Sequence, residues 1–281
     1  MRRAQFFTMS SFFFVSVLLL IAGLVYSEKR QDYLITQSSI VSSEVAFQNY
    51  NVFSVLGKVL KTEFTRAEGA NYTNITISAH LRQGYDPLVN LNTYNNYLRI
   101  YESKIGITMN HSMTDLLSDV SANNRYRRIF YPANILVTRS YSSNTITYTN
   151  NRQVNAYFIN LSFNGSITGL VWTPLPSGII PVYVYGPNNY SNYALINPSG
   201  SYSLRVDVNN SILTDRLTIN FNFNNNETTI DYSSIDSLDD FNIKFTTSLA
   251  SYGNVFKILS PYPNTIVNTS FDGCSLSRRF E

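Results

Sequence analysis

The sequence predicts an α+β protein, with a long amino-terminal (transmembrane) helix followed by a mainly antiparallel, β-sandwich-like extracytoplasmic domain. Three observations predict it. No charged residue occurs from Ala4 to Ser27. Neither Gly nor Pro interrupts the chain between Gly23 and Gly57. From Ile129 onward, β-branched and aromatic runs recur between clusters of Asn, Gly, Pro and Ser, which is how short strands joined by turns are written.

Composition sets the frame for these elements. Apolar residues make up 44% of the 281 and charged residues only 14%, against roughly 25% charged in ordinary soluble domains. That excludes a disordered chain and leaves neutral polar side chains to cover the surface: 33 Asn, 34 Ser and 23 Thr. Residues 28–281 carry 19 basic and 18 acidic side chains, a net charge of +1, so no nucleic-acid partner is expected. The single cysteine, Cys274, excludes an intramolecular disulfide and any multi-cysteine metal site.

The uncharged run reads as a membrane segment. As a helix, its 24 residues reach about 36 Å, more than the roughly 30 Å of a bilayer's hydrocarbon. Phe6 to Tyr26 form its apolar core, and Thr8, Ser10, Ser11 and Ser16 can return their hydroxyls to carbonyls of the preceding turn. Arg2 and Arg3 precede the run, whereas Glu28, Lys29 and Arg30 after it are mixed in sign. The positive-inside rule then places the amino terminus in the cytoplasm and everything after Ser27 outside, as a single-pass protein of the cell membrane. Val25 and Ser27 are small enough for a secretory cut before Glu28, but the run exceeds the 7–15 residues typical of a signal peptide's apolar region. An uncut signal anchor is a further reading of the same residues.

The stretch Met1-Arg2-Arg3-Ala4-Gln5-Phe6-Phe7, a basic pair, a small residue and a Gln leading into an unbroken apolar helix, resembles the class III signal peptide of archaeal type IV pilin-like proteins. The resemblance extends to about Val25. It implies cleavage by a prepilin peptidase on the cytoplasmic side, between Ala4 and Gln5, with the helix kept as membrane anchor and as the central spine of any filament. It also implies like subunits or other pilin-like proteins as partners. Met9 stands where the family often carries Glu at the fifth mature position.

Beyond the membrane segment, Leu34, Val41, Val45, Val52, Leu56 and Val59 lie along one side of a helix. One helix from residue 5 to about 66 accounts for them, as does a separate helix 38–65 after a short loop. The chain thus divides into a signal or transmembrane segment 1–27, an extension helix 28–68 and a β-rich domain 69–281. Asn71 to Leu81 reads as a strand, and Leu88 to Ile105 as a helix through Leu91, Tyr94, Leu98, Tyr101 and Ile105. Further strands are expected at Asn134–Arg139, Thr145–Thr149, Val154–Phe163, Ile179–Tyr185, Tyr202–Val208, Arg216–Phe223, Asn242–Thr247 and Val255–Leu259. Alternation is clearest from Leu217 to Phe223, where every odd position is apolar. Ser203 to Val208 repeats it, with a hairpin through Asn209-Asn210 between the two.

Chemistry-bearing constellations are sparse, and no catalytic, cofactor or metal residue is assigned; the protein is not expected to be an enzyme. His80 and His111 lie in no nucleophile motif, Gly-x-Ser-x-Gly is absent, and the twelve glycines form no phosphate loop. Asp231, Asp236, Asp239 and Asp240 suit either a calcium loop or a solvated acidic turn, without the alternating acids and central Gly of an EF-hand. Arg125-Tyr126-Arg127-Arg128 reads as a solvated basic face, or as one that meets an acidic lipid, a sugar acid or a neighbouring subunit. Trp172, followed by Tyr183, Tyr185, Tyr190 and Tyr193, suits a core position or a platform for sugar rings. Asn-x-Ser/Thr sequons occur at Asn71, Asn74, Asn110, Asn160, Asn164, Asn189, Asn209, Asn226 and Asn268, open to glycosylation if the domain is outside. Only 6 Lys accompany the 33 Asn. A surface so neutral suits lateral packing of subunits and suits neutral surface glycans equally. The expected function is that of a membrane-anchored structural or adhesive cell-surface protein, a pilin-like subunit; the alternative is a monomeric, membrane-tethered domain binding glycan or protein.

Overall fold

The computed structural model describes residues 2–82, 84–105, 108–131, 135–150, 153–209, 214–232, 241–250, 257–259, 261–262, 265–271 and 274–279. A single helix, α1 (Arg2–Val59), opens the chain. Its 58 residues make it about 87 Å long, and it is continuous where a juxtamembrane loop was the other expectation. The helix is shorter than expected at its end. Lys61 adopts a left-handed conformation, φ 52°, which stops the helix, and Thr62–Glu68 pairs along its whole length with the next strand. The β-branched and aromatic residues Thr62, Phe64 and Thr65 suit that pairing better than helix.

The remaining elements are β1 (Thr62–Glu68), β2 (Tyr72–Leu81), α2 (Pro87–Ile105), β3 (Thr108–Met113), α3 (Thr114–Asn123), β4 (Arg125–Tyr131), β5 (Ile135–Ser140), β6 (Thr145–Thr149), β7 (Val154–Ser162), β8 (Ser166–Thr173) and β9 (Ile180–Tyr185). They continue with β10 (Ser191–Ile196), β11 (Ser201–Asn209), β12 (Thr214–Asn222), β13 (Glu227–Asp231), β14 (Phe241–Ala250), β15 (Lys257–Leu259), β16 (Thr265–Phe271) and β17 (Cys274–Arg279). Pro87 at the first position of α2 and Asp86 before it explain where that helix starts: Asp86 Oδ1 accepts the Leu88 N–H at 2.8 Å and the Val89 N–H at 3.3 Å.

Two sheets face each other. One has the order β1-β2-β14-β7-β9-β10, the other β15-β4-β5-β6-β13-β12-β11-β8; a third, small sheet is β17-β16-β3. Pairing is antiparallel except between β7 and β9, which run parallel. The expected hairpin joins β11 to β12, with Leu204 opposite Ile219 and Val206 opposite Leu217. Inward residues of both large sheets make one core, including Ile77, Ile159, Val182, Phe245, Ile146, Val206, Ile219 and Phe221, all buried. At about 25 cal/mol per Å² of apolar surface, this alternation is what holds the sandwich closed.

A second core forms where α1 meets the domain. Val52, Leu56 and Leu60 are buried there with Leu91, Tyr94 and Leu98 of α2, Leu116 and Val120 of α3, and Tyr126, Tyr141 and Tyr262. The far part of α1 differs: from Phe14 to Tyr33 its large apolar side chains are exposed, Leu19 at 69% and Leu20 at 66%. Among the described residues, no helix is long and apolar enough to cross a membrane. The described side chains of the uncharged run are those from Phe14 to Ser27, before Glu28, Lys29 and Arg30; the side chains of residues 4–13, including Ala4 and Gln5, lie outside the description, as do those of Leu34, Val41 and Val45 of the apolar stripe.

Candidate functional site: the outer face of the first sheet and the cleft between sheets

Residues of the six-stranded sheet that alternate with its core face outward. Following the register across strands, Tyr193, Tyr183, Phe158, Thr246 and Thr76 form one outward row. The next row is Tyr185, Asn160, Lys244, Ser78 and Glu63. Phe158 and Tyr183 stack with ring centroids 5.1 Å apart and planes 8° apart, and Tyr183 and Tyr185 lie 6.4 Å apart, again at 8°. Tyr193 meets Tyr183 at 5.3 Å and 40°. Tyr193 is 54% exposed and Tyr185 39%, so this aromatic row reaches solvent at one end of the sheet.

At the edge of the sandwich a cleft of about 460 Å³ opens between the two sheets. Tyr148, Tyr157 and Phe223 give it aromatic walls, and Asn150, Gln153, Asn155, Asn222 and Asn226 surround them with amides. Glu227 is its one carboxylate among the described residues and accepts the Thr229 hydroxyl at 3.1 Å. Aromatic walls with converging amides are suited to the apolar faces and hydroxyls of a neutral saccharide.

Other residues singled out in the sequence are placed differently. Trp172 is half-buried on β8, stacked on Phe221 at 6.0 Å, and Tyr190 also packs on the core; Trp172 therefore belongs to the other sheet and does not join Tyr183, Tyr185 and Tyr193. The basic run is neutralised within the protein, with Arg125 and Arg127 half-exposed. Asp119 of α3 accepts from Arg125 Nε at 2.8 Å, Arg127 Nε at 2.9 Å, Asn123 Nδ2 at 2.8 Å and the Tyr262 hydroxyl at 3.2 Å. Arg128 is buried and donates to the Tyr126 hydroxyl at 2.9 Å. Burial alone pushes the Asp119 carboxyl up, but hydrogen bonds from Arg125 and Asn123 and the charges of Arg127 and Arg125 outweigh it and hold it below the ordinary carboxylate value.

His80 faces outward from β2 with Nδ1 2.9 Å from Asn242 Oδ1. His111 stands on β3 opposite Val267, well separated from His80 in the pairing. Asp231 ends β13, while Asp236, Asp239 and Asp240 lie outside the described residues, as does Asn210 of the hairpin. Among the described residues no three His, Cys, Asp or Glu side chains gather as metal ligands. Of the sequons, Asn71, Asn164, Asn189 and Asn226 are exposed in turns or bends and Asn268 is exposed on β16; Asn74, Asn160 and Asn209 are half-buried, and the Asn110 side chain lies outside the described residues.

One buried cation escaped the sequence reading. Arg139 on β5 is 1% exposed, its guanidinium 4.9 Å from the centroid of Tyr141 and 4.8 Å from that of Tyr232. It donates to the Ser140 and Thr145 carbonyls at 2.7 and 3.3 Å, and burial pushes its pKa down to about 10. Alternation with Ile135 and Val137 puts Arg139 on the inward face of β5, but its ring partners come from the following turn and from the end of β13, which no local pattern shows.

The chain matches no family model, no curated protein and no solved structure. The site rests on its own geometry.

Proposed function

We propose that this chain is a non-catalytic, membrane-anchored structural or adhesive protein of the cell surface, a pilin-like subunit. One observation carries the reading: a single unbroken helix has exposed apolar side chains from Phe14 to Tyr26 and, on the same helix, Val52 and Leu56 buried in the β-rich domain. Exposed Phe, Val, Leu and Ile in such density cost free energy in water and are stabilised in lipid or against like helices. The sequence extends the same uncharged character upstream to Ala4. In this reading the cut falls between Ala4 and Gln5, the helix stays in the membrane and the sandwich stands outside it.

Fractionation of the cells that make the protein, with mass spectrometry of its amino terminus, tests this. Recovery with membranes or sheared surface filaments and a terminus at Gln5 is the expected result. A terminus at Glu28 in the soluble fraction overturns it, and an intact Met1 in the membrane removes the pilin-like part.

A second reading, a membrane-tethered glycan-binding domain, is favoured by the cleft of amides around Tyr148, Tyr157 and Phe223. Binding of neutral oligosaccharides that is lost in Phe223→Ala but kept in Tyr193→Ala would single out the cleft over the aromatic row.

A further inference from the structure

Where the end of α1 meets the outer face of the six-stranded sheet there is a pocket of about 620 Å³, within the roughly 300–1,000 Å³ of small-molecule sites. Three of the chain's six lysines line it: Lys58 from the last turn of α1, Lys61 from the link to β1, and Lys244 from β14. His80, Asn160 and Asn242 supply polar groups beside them. Glu63 is the one carboxylate in its lining, so three lysines less one glutamate leave a charge of +2. This is a strong local concentration in a chain whose residues 28–281 net +1. Asp239 and Asp240, which precede β14 in sequence, lie outside the described residues.

Lysines at a helix carboxyl end usually satisfy its free carbonyls. Here other groups do so. The Leu56 carbonyl accepts from Leu60 N–H at 2.9 Å and that of Lys58 from Lys61 N–H at 3.1 Å, while that of Lys61 accepts from His80 N–H at 2.9 Å. Val59 accepts from the Tyr85 hydroxyl, and Leu60 from the Tyr141 hydroxyl at 2.7 Å. These carbonyls are therefore satisfied without any lysine ammonium. Among the described residues, no ion pair involves Lys58, Lys61 or Lys244. Lys61 also occupies a left-handed position, φ 52°, where Gly or Asn is the low-strain choice. A lysine held there at a cost points to a use for its charge.

We propose that this pocket binds the carboxylate of an acidic saccharide. Lys58, Lys61 and Lys244 meet the anionic group, and the amides of Asn160 and Asn242 meet ring hydroxyls. Tyr185 is the next residue in the cross-strand row, directly beside Asn160, and offers an exposed ring, parallel to Tyr183, on which a sugar ring can stack. A bare oxyanion would use the lysines alone; the neighbouring aromatic row is what selects a saccharide. The pocket needs neither membrane nor filament, so its ligand binds whether or not the chain is anchored.

The test is calorimetric titration of the full chain in non-ionic detergent with trigalacturonic acid, its methyl-esterified neutral form and inorganic phosphate, at two salt concentrations. The acid is expected to bind, weakened by salt as charge pairing requires. Lys58→Gln with Lys244→Gln should lower its affinity about tenfold or more, Tyr185→Ala about three- to tenfold, and Lys257→Gln on β15 should leave it unchanged. Lys244→Gln alone, on an exposed side chain, serves as a second variant should the pair fold poorly. Equal binding of the esterified trimer overturns the anionic part. Phosphate binding as tightly as the acid, with Tyr185→Ala silent, overturns the saccharide part. No binding of the acid at millimolar concentration overturns the whole.

Discussion

The Tyr141 hydroxyl donates to the Leu60 carbonyl at 2.7 Å, joining the turn after β5 to the end of α1 across 81 residues of sequence. Both residues are buried, Leu60 at 0% and Tyr141 at 6% exposure. With Tyr85 on Val59 and Tyr94 on Val52 at 3.2 Å, it closes the last turns of the long helix onto the domain. Tyr141→Phe leaves the Leu60 carbonyl without a donor and should cost about 1–3 kcal/mol. Urea unfolding of the variant checks this, with Tyr183→Phe on the exposed row as the control. Equal midpoints for the two would show that the bond does not secure the helix.

Asp119 is the anion on which Arg125 and Arg127 of the basic run converge. Asp119→Asn keeps its shape but leaves Arg125 and Arg127 without a counter-charge. Their side chains are 38% and 29% exposed, so water absorbs part of the loss, and about 1–3 kcal/mol is expected where breaking a fully buried pair would cost more. Because the folded carboxyl is held below its ordinary value, its contribution is present above the unfolded pKa of about 3.9 and lost as pH falls from there through the folded value. The gap in stability between wild type and variant should therefore be wide at neutral pH and shrink under acid. An unchanged gap at low pH would contradict the pairing.

Alkaline pH should unfold the domain through its tyrosines. Burial raises Tyr85 and Tyr157 to about 12, and it also raises Tyr94, Tyr126, Tyr141, Tyr148 and Tyr262. In that range the unfolded chain gives up phenol protons that the folded chain keeps, so stability falls as pH rises from about 10 through 12. Arg139 acts in the opposite sense, since its folded pKa of about 10 lies below the ordinary 12.5; one guanidinium does not offset seven phenols. Tyrosinate absorbance followed with circular dichroism should show one cooperative step for the buried rings. Gradual titration without loss of structure would rule this out.

Glycosylation, where the protein carries it, should follow exposure. Asn164 and Asn189 stand exposed in the β7–β8 and β9–β10 connections and Asn71 in the bend before β2, whereas Asn74 sits half-buried on β2 with its Oδ1 enclosed and without a partner. Glycopeptide mass spectrometry of protein taken from its own cells should find sugar at the first three and none at Asn74. Occupied Asn74 with bare Asn164 and Asn189 would reverse the expectation.

Several elements were legible because their signal is local. Asn71–Leu81, Leu88–Ile105 and Arg216–Phe223 became β2, α2 and β12 within two residues of their expected bounds, since period and capping are written in neighbouring residues. Strands β1, β3, β4, β8, β10, β13, β16 and β17 and the short helix α3 were not legible. β4 carries three arginines whose compensating anion, Asp119, sits on another element, and β8 and β10 are broken up by Gly, Asn and Ser that a sheet tolerates only once its neighbours are in place.

By itself, the sequence determined that helical segments without Gly or Pro between Gly23 and Gly57 precede a strand-rich domain of few charges, because helix breakers, hydrophobic period and charge are properties of adjacent residues; that these segments are one helix was decided by the structure. Tertiary structure alone decided that Lys58, Lys61 and Lys244 share one pocket, that Tyr185 stands beside it and that Arg139 lies between two tyrosine rings. Such groupings depend on strand order and register, which join residues up to 186 positions apart through backbone pairing that no local pattern encodes.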